Sequence, residues 1–217
     1  YAVSDGALTS SAELRFTITG LNDRPVATSN RDAVLENETL ELDADKSLLL
    51  DDVDVDGDTL GISAVRFGAI DGSGSSGTLG ESLAGLYGSL TLNSDGSYRY
   101  TANAAEVLAS GEEVEDVFSY TVSDGTLNSS AELRITITGV NDVPVAIGDI
   151  DTVAENSEIT SVVDKSLLLN DEDVDGDVLS VTAIRAGALD EDGVSGTIGV
   201  ALGGAYGSLT LNANGSY

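Results

Sequence analysis

Apolar residues fall at every second position in several stretches of this chain. In the run Ala131-Glu-Leu-Arg-Ile-Thr-Ile137, positions 131, 133, 135 and 137 are apolar, and the residues between them are charged or Thr. Ala12, Leu14, Phe16 and Ile18 repeat that alternation, as do Phe118, Tyr120 and Val122, and Leu60, Ile62 and Ala64. A period of two predicts strands with one face on a core and the other in water. Helical periodicity is almost absent. Ser94-Asp95-Gly96 predicts one hairpin turn and Ser123-Asp124-Gly125 another. One short helix is expected around Ala104 to Ser110. The Gly- and Ser-rich segment from Asp71 to Gly88 reads as a long loop.

The pattern is written more than once. Tyr1-Ala-Val-Ser-Asp-Gly6 returns as Tyr120-Thr-Val-Ser-Asp-Gly125, and Gly20-Leu-Asn-Asp-Arg-Pro-Val-Ala27 returns as Gly139-Val-Asn-Asp-Val-Pro-Val-Ala146. Both pairs are offset by 119 residues, and laying 1–98 over 120–217 without a gap gives 60 identical positions of 98. Such a period suits one domain and exceeds the roughly 20–50 residues of solenoid repeats. The fold expected is all-β: tandem two-sheet antiparallel sandwiches of immunoglobulin type.

The two prolines, Pro25 and Pro144, each follow an Asn-Asp pair and hold the preceding residue extended, as a short stiff junction requires. They place a complete repeat at 25–143, the last strands of a preceding repeat at 1–24, and the first part of a following one at 144–217. Two strands alone are marginal in water. Either flanking chain covers these edges, or the 24 and 74 residues of two copies complement each other head to tail through exposed strand edges.

Composition narrows the function. With 38 acidic and 9 basic residues and no His, the net charge is −29. Nucleic acid is excluded as a natural partner, because its phosphates need Lys and Arg, and anionic membrane surfaces are disfavoured. Self-repulsion of this size calls for neutralising cations, the alternative being a halophilic, solvating surface. No Cys is present, so there is neither disulfide nor thiolate site. No apolar run approaches the roughly 18 residues of a membrane span.

The acids are clustered. Asp52-Val-Asp54-Val-Asp56-Gly-Asp58 returns as Asp171-Glu-Asp173-Val-Asp175-Gly-Asp177. Alternating carboxylates with a glycine bend can wrap hard oxygen ligands around one Ca2+ ion, which takes about 6–8 oxygens. The start matches an EF-hand loop, but the twelfth position is Ser63 or Thr182 instead of Glu, and flanking helices are missing. Further ligands must come from elsewhere. Glu36-Asn37 and its copy Glu155-Asn156, the junction pairs Asn22-Asp23 and Asn141-Asp142, and the turn acids Asp5 and Asp124 recur in register. Asp5 and Asp124 are turn formers or ligands; Asn22 and Asn141 are Asx-turn residues or ligands. In a sandwich, the first strand, a loop and the exit junction can meet at one pole. Magnesium rarely gets an all-protein cage, and zinc lacks its His and Cys.

The ordered motifs Asn-Asp-x-Pro-Val-Ala, Leu-Leu-Leu-(Asn/Asp)-Asp-x-Asp-Val-Asp-Gly-Asp, Tyr-Gly-Ser-Leu-Thr-Leu-Asn-x-(Asp/Asn)-Gly-Ser-Tyr and Phe-Ser-Tyr-Thr-Val-Ser-Asp-Gly resemble VCBS-type, cadherin-like repeats of giant repeats-in-toxin adhesins of Gram-negative bacteria. Asp51 stands where the family usually has Asn, as at Asn170. The resemblance implies type I secretion to the cell surface, a role in adhesion or biofilm, and calcium-rigidified extender modules whose partners are the neighbouring repeats. Two alternatives are a sugar- or protein-binding module, which would expose Tyr87 with Tyr98 or Tyr100, and a filament subunit built by strand complementation. An enzyme is not expected: without His or Cys only a carboxylate pair could act, and an Asp-rich loop keeps its acids ionised.

Overall fold

The computed structural model describes residues 1–104, 108–162, 165–188 and 192–217. The helix expected around Ala104 to Ser110 centres on 105–107, outside the described residues. Strands β1 (Ala2–Ser4) and β2 (Thr9–Ser11) pair only with each other. The central module contains β3 (Asn30–Leu35), β4 (Thr39–Leu42), β5 (Gly61–Phe67), β6 (Ser76–Gly77), β7 (Ser82–Ala84), β8 (Ser89–Leu92), β9 (Tyr98–Thr101), β10 (Glu113–Ser123) and β11 (Asn128–Thr138). Short hairpins β12 (Ile184–Ala186) with β13 (Val194–Gly196), and β14 (Leu202–Gly203) with β15 (Ser208–Leu209), follow.

Two sheets form the sandwich, ordered β3-β11-β10-β5-β6 and β4-β9-β8-β7. The expected hairpins are present: Leu92 faces Tyr98 across the first, and Ser123 faces Asn128 across the second. Pairing is antiparallel except where β3 runs parallel to β11. The alternation of β11 buries Ala131, Leu133, Ile135 and Ile137, and that of β10 buries Phe118, Tyr120 and Val122. Facing them are Leu90, Leu92, Tyr98 and Tyr100 of the second sheet. Phe118 meets Phe67 and Tyr100 edge-on, with centroids 5.5 and 6.2 Å apart.

Two expectations are corrected. Asp71 to Gly88 is not one long loop: β6 forms the edge of the five-stranded sheet and β7 the edge of the four-stranded sheet. Its Gly and Ser content is compatible with strands of only two or three residues that cap edges instead of filling the core. Leu60, Ile62 and Ala64 also do not share a face. Thr121 pairs with Ala64 but Val122 with Ile62, so Ser63 is an extra residue. This bulge re-aims the strand, burying Ile62 and Val65 while Ala64 stays exposed.

One acid on the inward face of β10 carries structural weight. Asp116 is fully buried, and its carboxylate accepts Leu86 N–H at 2.8 Å, Tyr87 N–H at 3.2 Å and Tyr100 Oη–H at 2.7 Å. A buried carboxylate needs such donors, and these tie the β7–β8 turn of one sheet to a strand of the other. Burial and the adjoining carboxylates raise the Tyr98 and Tyr100 hydroxyls well above the ordinary phenol range.

The preceding copy behaves differently. Phe16 is 82% exposed, whereas Ile135, 119 positions on, is 0% exposed. Residues 12–20 form no strand, because their apolar face has no second sheet to pack on. Ile135→Ala is therefore expected to cost about 2–5 kcal/mol, and Phe16→Ala to stay within about 0.5 kcal/mol, both read from denaturant unfolding of the chain.

Candidate metal centre at the module junction

The acid loops fold by local rules. Asp54 Oδ1 accepts the N–H groups of Asp56 at 3.0 Å and Asp58 at 3.2 Å, and Gly57 turns the chain at φ 77°, a value that favours glycine. The copy repeats this, with Asp177 N–H to Asp173 Oδ1 at 3.0 Å and Gly176 at φ 74°. Among the described residues, oxygens of Asp54, Asp56 and Asp58 converge to within 4.8 Å of one another.

The loop is stitched to the junction through backbone N–H groups. Thr28 N–H donates to Asp52 Oδ1 at 2.7 Å and Asp23 N–H to Asp56 Oδ2 at 2.7 Å. At the following junction Ile147 N–H donates to Asp171 Oδ1 at 2.7 Å and Asp142 N–H to Asp175 Oδ2 at 2.6 Å. Backbone bridges Val26–Val53 and Val145–Glu172 complete each stitch. Burial pushes the Asp52 carboxyl above the usual carboxylate range; the Thr28 N–H opposes this and the Asp51 charge adds to it.

Glu36 lies off the other end of β3 from Thr28 and Asp52. Its backbone N–H bonds Thr138 O at 2.9 Å, and Asn37 follows at φ 62°, a conformation Asn tolerates. The side chain is 1% exposed, and Oε1 accepts Val140 N–H at 2.5 Å. Glu36 therefore belongs to the junction with the following module, not to the acid loop of its own. Glu36 is joined to the exit junction through Val140 N–H, and that junction to the next acid loop through Asp142 N–H; among the described residues the carboxylates that converge are Asp54, Asp56 and Asp58. Glu155 has the same αL neighbour, Asn156 at φ 60°, but is exposed.

The remaining candidates separate. Asp5 accepts the N–H groups of Ala7 and Leu8 within its own turn, and those bonds, Leu8 foremost, lower its carboxyl pKa. Asp124 does the same with Thr126 and Leu127, the Leu127 bond lowering it most, and its other oxygen takes Asn22 Nδ2–H at 2.9 Å. Asn22 and Asn141 each donate Nδ2–H to the carbonyl of the next residue. Asp5 and Asp124 thus act in their turns and lie outside the group of converging oxygens. Sequence reasoning missed Thr28, Val140 and Ser110, which act through backbone N–H groups that leave no trace in residue type.

Among the described residues, four buried carboxylate oxygens have no hydrogen-bond partner: Glu36 Oε2, Asp52 Oδ2, Asp54 Oδ2 and Asp142 Oδ2. Such orphans are costly, and an all-oxygen anionic donor set fits a hard divalent cation of calcium type. The aromatic cluster that a sugar-binding face would expose does not form, since Tyr98 and Tyr100 are buried.

Residues 22–139 match the family described as bacterial cadherin-like domain, and the chain belongs to that family. No curated protein matches it. Among solved structures, the endo-fucoidan hydrolase MfFcnA9 from glycoside hydrolase family 107 is similar at 23% identity and TM-score 0.26, over 62% of this chain and 20% of that one. The endo-fucoidan hydrolase MfFcnA4 of the same family is similar at 21% identity and TM-score 0.31, over 90% of this chain and 28% of that one. The chain thus spans less than a third of either enzyme. Asp54→Asn and Asp58→Asn are each expected to weaken calcium binding at the first loop at least about tenfold, whereas Asp5→Asn leaves it unchanged; isothermal calorimetry on the chain distinguishes them.

Proposed function

We propose that this cadherin-like chain is a run of calcium-stiffened extender modules from a large secreted bacterial surface adhesin, and that it has no enzymatic activity. The observation that carries the reading is the convergence of Asp54, Asp56 and Asp58 in a loop stitched to its junction through Asp23 N–H on Asp56. An ion held there offsets the mutual repulsion of these acids and braces the linker against the module. At the following junction Glu36 and Asp142 each carry a buried oxygen without a hydrogen-bond partner, which supports a second ion between modules.

A string of modules fixed in this manner is a stalk that holds an adhesive domain away from the cell for attachment or biofilm formation. Export by a type I system, as in the VCBS-type adhesins that the sequence resembles, fits the lack of cysteine. Extracellular calcium modules bind with Kd of about 10⁻⁴–10⁻³ M, so ambient calcium sets the stiffness of the stalk.

Small-angle scattering paired with thermal melting, in calcium and then in EDTA, tests this. Calcium is expected to lengthen and narrow the particle and to raise its melting temperature; at about 100 times Kd one site adds about 2.7 kcal/mol. A higher melting temperature with unchanged shape would confine the ion to single loops. No change in either would overturn the proposal.

A further inference from the structure

At the second junction one carboxylate is spent entirely on protein. Asp175 Oδ2 accepts Asp142 N–H from the linker at 2.6 Å, and Oδ1 accepts Ser110 N–H from the central module at 2.6 Å. A single side chain of the following module therefore grips both the linker and the body of the module before it. Charge-assisted bonds of this kind are stronger than neutral ones. Among the described residues, Asp173, Asp175 and Asp177 do not converge as Asp54, Asp56 and Asp58 do; Asp175 is engaged by Ser110 and Asp142 instead.

The donor is presented by a built turn. Glu112 N–H bonds Ala109 O at 2.8 Å, and Gly111 between them has φ 80°, which is the geometry of a type II turn with Ser110 at its first central position. Gly111 N–H to Gly139 O at 2.9 Å and Gly139 N–H to Glu112 O at 2.8 Å pin this turn to the end of β11. Val140 N–H goes to Glu36 immediately beyond. The Ser110 N–H consequently faces the incoming acid loop from a fixed position.

We propose that the Ala109–Glu112 turn is a docking surface for the acid loop of the next repeat, and that Asp175 is an ion-independent clasp which keeps two consecutive modules in register. This rests on the stalk reading and adds to it a second linkage, through hydrogen bonds, that persists when calcium is removed. Asp175 acts as a positioning residue that holds the acid loop of one module against the linker and the body of the module before it.

The variant that isolates the clasp is Ser110→Pro. Proline is favoured at that turn position and removes the N–H together with an exposed hydroxyl, leaving every acid in place. The chain has no cysteine, so Glu113→Cys and Ala213→Cys, one in each module, take spin labels at defined sites. Electron–electron distance measurements in EDTA are expected to give one narrow distribution for the labelled parent chain. Ser110→Pro, and independently Asp175→Asn, should broaden it at least about twofold as relative domain motion returns. A broad distribution for the parent in EDTA, or Ser110→Pro as narrow as the parent, overturns the clasp. Adding calcium to the Ser110→Pro chain reads the ion separately: renewed narrowing reports the calcium linkage alone, and its failure leaves the EDTA comparison standing.

Discussion

A carboxylate taken partly out of water must be met by N–H donors or by a cation, and that requirement governs every part of this fold where acids gather. With a net charge of −29, the chain cannot leave its acids to repel one another at random. It places them where backbone N–H groups are otherwise unpaired: in tight turns, along the proline junctions and at the poles of the sandwich. Asp52, Asp56, Asp171 and Asp175 each accept a junction N–H. Among the described residues, the buried oxygens left without partners are on Glu36, Asp52, Asp54 and Asp142. Backbone capture and cation binding are thus two halves of one electrostatic arrangement.

The sandwich serves that arrangement as a spacer. Thr28 and Asn30 lie at one end of β3 and Glu36 just beyond the other, so the central module offers an acid loop at its front and a buried Glu at its back. The core between them is small but dense, with Phe118 packed edge-on against Phe67 and Tyr100 and Asp116 joining the sheets through buried hydrogen bonds. Rigidity within a module comes from this core. Rigidity between modules comes from the polar contacts at its ends, where buried apolar surface is scarce and Val26, Val53 and Leu50 remain exposed.

Much of the site was legible in residue type and spacing. Asp-x-Asp-x-Asp-Gly-Asp could be read as a cation loop because the charge repulsion it creates has few other remedies. Glu36 was visible only as a recurring acid; its burial and its αL neighbour Asn37 belong to the folded state. Asp116 left a fainter signal, being the one acid on the inward side of the alternation that runs through Phe118, Tyr120 and Val122. Ser110 left none, since its role is carried by a backbone N–H. Asp71 to Gly88 misled because glycine and serine mark loops on average, yet edge strands of two or three residues ask little of their side chains.

The repeat itself separates what local sequence determines from what only tertiary structure decides. Where both copies are present, short-range features form twice. Asp54 and Asp173 each accept the N–H of the residue four positions on, Asn22 and Asn141 each donate to the carbonyl of the next residue, and both acid loops bend at glycine. These depend on neighbours near in the chain, so the sequence by itself suffices. The strand β11 does not form twice. Leu133, Ile135 and Ile137 are buried, while Leu14, Phe16 and Ile18, which keep the same alternation, lie in solvent. Alternation states which face of a strand wants a core, but an apolar face is stabilised only by the opposite sheet that removes it from water, and that sheet is a property of the assembled module.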